Sequence, residues 1–139
     1  MYLLDTDTIT HPNAGNPTVV GRLQTADDPE IGATIITRVE FLRGRYDYLL
    51  KATTSAEILR AQELLLRTEE LLYQIPTITF DDAAAAIYDR LRGTKRQRKI
   101  GNADLLIGSI ALSRRATLLT RNVRHFRAIP DMQVVNWVD

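Results

Sequence analysis

Asp5, Asp7, Glu40 and Asp104 carry carboxylates, and Asn122 an amide, in positions that could form a site for a hard cation. Carboxylates gathered in one place repel one another. An oxygen-ligated divalent ion such as Mg²⁺ or Mn²⁺ supplies the missing positive charge. Such an ion activates water and neutralises charge developing on a phosphate. With few protein ligands it keeps several waters and docks onto phosphate oxygens. The chain contains no cysteine, which excludes a disulfide framework and a thiolate metal site. His11 and His125 are isolated and lack metal-ligand spacing, so they read as surface or packing residues.

Each acid alone also has a structural reading. Asp5 could be a turn residue and Asp7 an N-cap, while Glu40 and Asp104 could complement helix dipoles. The case for chemistry rests on their coincidence at one end of successive elements. Tyr2-Leu3-Leu4 reads as a strand closed by Asp5, and Ile31–Ile36 as a second, β-branched one. Further strands are predicted at 75–80, where Pro76 implies an edge, at 116–120 and at 133–135. Helices are predicted over 18–23, from a Thr37 cap to Leu50, from Thr53 or Thr54 to Tyr73, from Asp81 or Asp82 through 83–98, over 103–115 behind Asn102, and at 123–126. Strands alternating with helices indicate an α/β fold: a three-layer α/β/α sandwich around a mostly parallel sheet of four to five strands. The length of 139 residues suits a single domain spanning 1–139. In such sheets ligands bind beyond the carboxyl ends of the strands. Asp5 lies there, Asp7 just past it, Glu40 and Asp104 in the first turns of the helices that follow, and Asn122 shortly after the fourth strand.

The net charge of +1 hides an asymmetry. Residues 1–89 hold 7 Lys/Arg against 14 Asp/Glu, whereas residues 90–127 hold 11 Lys/Arg against the single acid Asp104. A basic segment of that density attracts polyanions such as RNA, although a solvated helix face has the same composition. Lys95, Arg96, Arg98 and Lys99 precede Asp104 closely enough to lead a phosphate backbone to the acids, with Arg43 and Arg45 extending the track. No apolar run is long enough for a membrane span, and no basic-then-apolar leader follows Met1, which with the lack of cysteine suggests a cytoplasmic protein.

Four blocks resemble the PIN-domain family, and most closely its VapC-type toxins. They are Leu3-Leu4-Asp5-Thr6-Asp7, Thr37-Arg38-Val39-Glu40-Phe41-Leu42-Arg43-Gly44, Gly101-Asn102-Ala103-Asp104-Leu105-Leu106-Ile107 and Leu119-Thr120-Arg121-Asn122. The resemblance implies a PIN-like fold and a Mg²⁺- or Mn²⁺-dependent endoribonuclease, the toxin of a type II toxin–antitoxin pair. It implies that Asp5, Glu40 and Asp104 hold a metal-activated water that hydrolyses RNA. Asn122 matches a fourth position that is often Asp, and Asp7 stands where relatives often have Asn and adds an acid to the metal cluster. Thr6 and Thr120 match small hydroxyl positions that orient water or phosphate. The expected partners are RNA, a VapB-type antitoxin and a second copy in a homodimer.

The helix expected at 54–73 carries Ile58, Leu59, Leu64, Leu65, Leu66, Leu71, Leu72 and Tyr73, more directions than one buried stripe needs. The surplus suggests a groove for a partner helix. Trp137 is expected to pack on the sheet. A rival enzyme class is a haloacid-dehalogenase-like phosphatase, with Asp5-Thr6-Asp7-Thr8 supplying nucleophile and acid–base pair. Another is a non-catalytic RNA-binding module.

Overall fold

A computed structural model describes residues 1–10, 30–94 and 99–137. The helix expected at 18–23, His11 and the basic residues Lys95, Arg96 and Arg98 lie outside those residues. Among the described residues the order is β1 (Tyr2–Leu4), α1 (Thr6–Thr10), β2 (Ile31–Thr34), α2 (Ile35–Lys51), α3 (Ser55–Gln74), β3 (Thr77–Ile78), α4 (Asp82–Arg92), α5 (Asn102–Ser113), β4 (Thr117–Leu119), α6 (Val123–Arg127) and β5 (Gln133–Val135).

The strands form a parallel sheet in the order β3-β2-β1-β4-β5, flanked by helices. The chain leaves β1 towards β2 and β3, then returns to the other side of β1 as β4. The carboxyl ends of β1 and β4 therefore border the point where the winding direction switches, which is where open α/β sheets bind ligands. Leu3 of β1 pairs with Gly32 on one side and Leu118 on the other, so β1 is buried between neighbours. A Cβ at Gly32 would lie 3.0 Å from both Ile78 Cγ1 and the Pro76 carbonyl oxygen, so the glycine lets β3 approach. The core gathers Leu3 and Leu118 from the sheet, Leu105, Ile107 and Ile110 from α5, and Phe126 and Ile129 near α6. Tyr2 and Trp137 stack obliquely with centroids 5.0 Å apart, so the tryptophan does pack on the sheet.

Several boundaries differ from the sequence reading. Ile35 and Ile36 are helical, not strand. Thr34 caps α2 by accepting a hydrogen bond from the Thr37 amide at 3.0 Å, so the cap lies three residues before the expected one. Their β-branched side chains suit either element, and the cap decides. Glu40 consequently falls beyond the first turn and gains little from the helix dipole. Asn102 is the first residue of α5, and Gly101 occupies the cap position. The Asn102 side-chain oxygen instead accepts from the Tyr88 hydroxyl. The helix starting after Asp81 stops at Arg92, where Gly93 closes it, rather than running to Arg98. The short helix α1 was not foreseen.

Candidate active site

Asp5 follows β1 directly. Its amide donates to the Leu119 carbonyl at 2.9 Å, which ties the ends of β1 and β4 together. The Asp5 carbonyl accepts from the Thr8 and Ile9 amides and so starts α1. Its carboxylate accepts from the Thr6 amide at Oδ1 and from the Thr120 hydroxyl at Oδ2, each at 2.9 Å. Burial raises the Asp5 pKa from 3.8 to about 6, against the lowering effect of the Thr120 and Thr6 hydrogen bonds, and the nearby charges of Asp7 and Glu40 push it further up.

Thr120 is fully buried one residue past β4. Its hydroxyl hydrogen is shared between Asp5 and Asp7, whose Oδ2 lies 3.2 Å away, and its oxygen accepts from the Asn122 amide at 3.1 Å. Asp7 also accepts from the Arg121 amide, at 3.1 Å to Oδ1 and 3.2 Å to Oδ2. The loop after β4 is thus pinned to the start of α1 by one carboxylate and one hydroxyl.

Glu40 reaches the site from α2, and Asp104 from the first turn of α5, and these two helices pack together. Burial raises the pKa of both. The Asp104 charge adds to the rise at Glu40 while Arg43 opposes it, and His125 opposes the rise at Asp104. Asp5, Thr6, Asp7, Glu40 and Asp104 line one cleft of about 340 Å³. The acids read from the sequence therefore do share one cleft, with Thr6 and Thr120 as expected neighbours.

Asn122 does not line that cleft. It lines an adjoining cavity with Lys99, Ile100, Arg124, His125 and Ala128. His125, read from the sequence as a surface or packing residue, joins the two spaces. Its Nδ1 is 3.5 Å from Asp104 Oδ2 and 3.1 Å from Asn122 Nδ2. A protonated Nδ1 serves both if the amide is turned to present its oxygen. Asn122 stands at the N-cap of α6 and His125 within its first turn, whereas Asp104 belongs to α5, so the sequence carries no local signal for the contact. Arg45 lines a small pocket with Thr6 and Glu40 and also has a structural role. Its Nε donates to Thr68 Oγ1 at 3.0 Å and its guanidinium lies over Phe41, so it joins α2 to α3.

The donors are all oxygen, which suits Mg²⁺ or Mn²⁺. Among the described residues no three His, Asp or Glu side chains converge closely enough to enclose an ion. The arrangement fits a strongly hydrated cation held directly by one or two carboxylates, with the others reaching it through water.

The winding of the sheet, the acids beyond its carboxyl edge and the shared cleft define a class, and the PIN domain model matches residues 2–131. The chain belongs to the PIN-domain family. Its relatives include Ribonuclease VapC1 of Haemophilus influenzae, 30% identical over 141 residues that cover 99% of this chain and 98% of that protein. The solved structure of VapBC-1 from nontypeable Haemophilus influenzae shares the fold, with a TM-score of 0.78 at 24% identity, over 99% of this chain and 98% of that one. VapBC2 from Rickettsia felis, solved bound to a DNA fragment from their promoter, aligns with a TM-score of 0.72 at 26% identity over 98% of each chain. The phosphatase alternative falls with the family assignment. The later acidic pair it would need is not at the sheet edge, since Asp81 caps α4 and faces Arg114.

Proposed function

We propose that this chain is a divalent-cation-dependent endoribonuclease, the toxin of a VapC-type pair, and that a VapB-type antitoxin restrains it. The observation that carries the reading is the single cleft lined by Asp5, Asp7, Glu40 and Asp104, with the pKa of Asp5, Glu40 and Asp104 raised. So many carboxylates in one place are costly unless a cation joins them, and perturbed acids in a cleft mark functional sites. Kinship over the full chain with Ribonuclease VapC1 supplies the reaction and the substrate class.

Asp5 and Asp104 are the principal ligands. Asp5 is held by two hydrogen bonds, and Asp104 stands against His125. A bound divalent ion supplies Lewis-acid stabilisation of the phosphate oxygens and raises the acidity of water. Glu40 is exposed, with its pKa raised, and so is suited to receive a proton from a water in the cleft. Thr120 fixes the direction of the Asp5 carboxylate, and Thr6 lines the cleft beside it. Asp7 lines the same cleft and is the auxiliary acid. Lys99 is exposed at the neighbouring cavity and offers charge to the incoming backbone.

The apolar surplus on the helices supports a protein partner. Leu59, Leu66 and Tyr73 of α3 and Leu50 of α2 are all more than half exposed. Solved relatives such as VapBC2 are toxin–antitoxin complexes, which makes an antitoxin segment the natural occupant. The test of the activity is purified chain on total RNA with Mg²⁺ or Mn²⁺. We expect internal cuts that chelator abolishes and that Asp5→Asn, still folded, loses. A folded Asp5→Asn protein cutting at the wild-type rate would overturn the assignment.

A further inference from the structure

We propose that the cavity beside the acid cleft is a nucleotide seat, holding one residue of the RNA strand next to the phosphate that is cut. The proposal rests on the ribonuclease reading above. The cavity, of about 480 Å³, is lined by Lys99, Ile100, Asn122, Arg124, His125 and Ala128. That size falls in the range of pockets that enclose small organic ligands.

Its chemistry is that of a nucleotide. Ile100 is buried and Ala128 half-buried, which gives an apolar wall for a base. His125 presents an aromatic ring, and rings of this kind stack bases without demanding one sequence. Asn122 offers an amide that can pair with a base edge. Lys99 and Arg124 are exposed cations at the same cavity, and among the described residues no acid lines it. The acid cleft next door has the opposite character. A polyanion crossing that cleft needs positive charge under a neighbouring repeat, and this cavity provides it.

Register is the stronger argument. Asn122 and His125 line the cavity, and His125 also touches Asp104 of the acid cleft. The segment carrying them is fixed to the acids by Asp7 on the Arg121 amide and by the Asn122 amide on Thr120. A base seated here therefore sits at a set distance from the reacting phosphate. The consequence is a nucleotide preference at one fixed position beside the cut.

The test has two arms. In the first, the full chain without divalent ions is titrated with AMP, GMP, CMP and UMP, with inorganic phosphate and with an oligoglutamate peptide, while amide signals of residues 99–100 and 122–128 are followed by NMR. We expect saturable shifts with at least one nucleotide, weakened about tenfold by Arg124→Glu and lost in Ala128→Phe, which fills the cavity. Arg124 is exposed, so its variant carries the test if Ala128→Phe does not fold. Equal affinity for inorganic phosphate, shifts with the peptide alone, no shifts at all, or unchanged binding by Arg124→Glu would each overturn the proposal. In the second arm, a randomised RNA pool is cut with Mg²⁺ or Mn²⁺ and the ends are sequenced. We expect a preference at one position that changes in the variants, and an unchanged preference overturns the seat. Nucleotide binding without cleavage of any RNA would instead sink the ribonuclease reading and leave the seat standing.

Discussion

Asp5 and Thr120 set the chemistry at the scale of single residues. Asp5 is ionised only reluctantly, because burial outweighs the two hydrogen bonds that favour its charge. Its folded pKa of about 6 lies above the ordinary value of 3.8, so between those values the folded chain binds the extra proton. The stability contributed by the protonated carboxyl is complete below 3.8 and is lost as pH rises through about 6. Glu40 and Asp104 shift in the same direction and steepen the trend. In the presence of chelator, Tm should therefore fall as pH rises from mildly acidic to neutral, and less so in Asp5→Asn. Added Mg²⁺ or Mn²⁺ should recover most of the lost Tm near neutrality and little of it in acid, since the ion binds the ionised form. A chelated protein whose Tm rises over that interval would contradict this account. Thr120→Val keeps the shape and removes the hydroxyl that serves both Asp5 and Asp7. It should lift the Asp5 midpoint above that of the wild type, read by carboxyl NMR, and lower kcat/KM about tenfold or more.

At the scale of elements, the caps and turn residues decide where the acids point. Helix α5, which carries Asp104, ends at Ser113, and just past its Arg114 cap Arg115 turns the chain at φ 52°, a left-handed conformation that glycine adopts without strain. The Ala116 amide donates back to the Ala111 carbonyl at 2.9 Å and closes the helix. Arg115 is exposed, so Arg115→Gly should stabilise the fold by about 1 kcal/mol in urea unfolding, with RNA cleavage unchanged. Loss of stability there would mean that the arginine side chain matters more than the backbone strain. The strands, the layered order and the acids were legible because Leu4-Asp5, Leu119-Thr120 and Ala103-Asp104 mark element ends in the sequence itself. Helix starts were less so. Ile35-Ile36 fits strand or helix equally, and only the buried Thr34 hydroxyl, meeting the Thr37 amide, chooses. Asn102 looked like a cap because nothing in the sequence reveals that Tyr88, fourteen residues earlier, takes its oxygen. His125 was missed for the same reason: its contact with Asp104 spans elements, and local spacing does not report it.

Over the whole molecule, the acids and the cations are segregated, and that segregation has a measurable consequence. Residues 90–127 carry eleven Lys/Arg against Asp104 alone, yet Asp104 sits in the acid cleft among its like-charged neighbours. The cations among the described residues of this stretch include Lys99, Arg121, Arg124 and Arg127, all exposed. They come from the approach to α5 and from the segment around α6, the two stretches that also border the nucleotide cavity. A strand drawn to them arrives beside the acids without having to cross them first. Binding driven this way releases counterions, so RNA affinity should fall linearly with salt on logarithmic axes. For a single strand each phosphate contact contributes ~0.7 to that slope. Reversing Arg124 and Arg127 together should flatten the slope by roughly 1.4, if each meets one phosphate. The measurement is fluorescence anisotropy of a labelled RNA across a salt series, using Asp5→Asn to prevent cutting. If the double reversal weakens binding while leaving the slope of the parent, the two arginines act through the fold of α6 rather than on phosphate, and the electrostatic route into the cleft must run elsewhere.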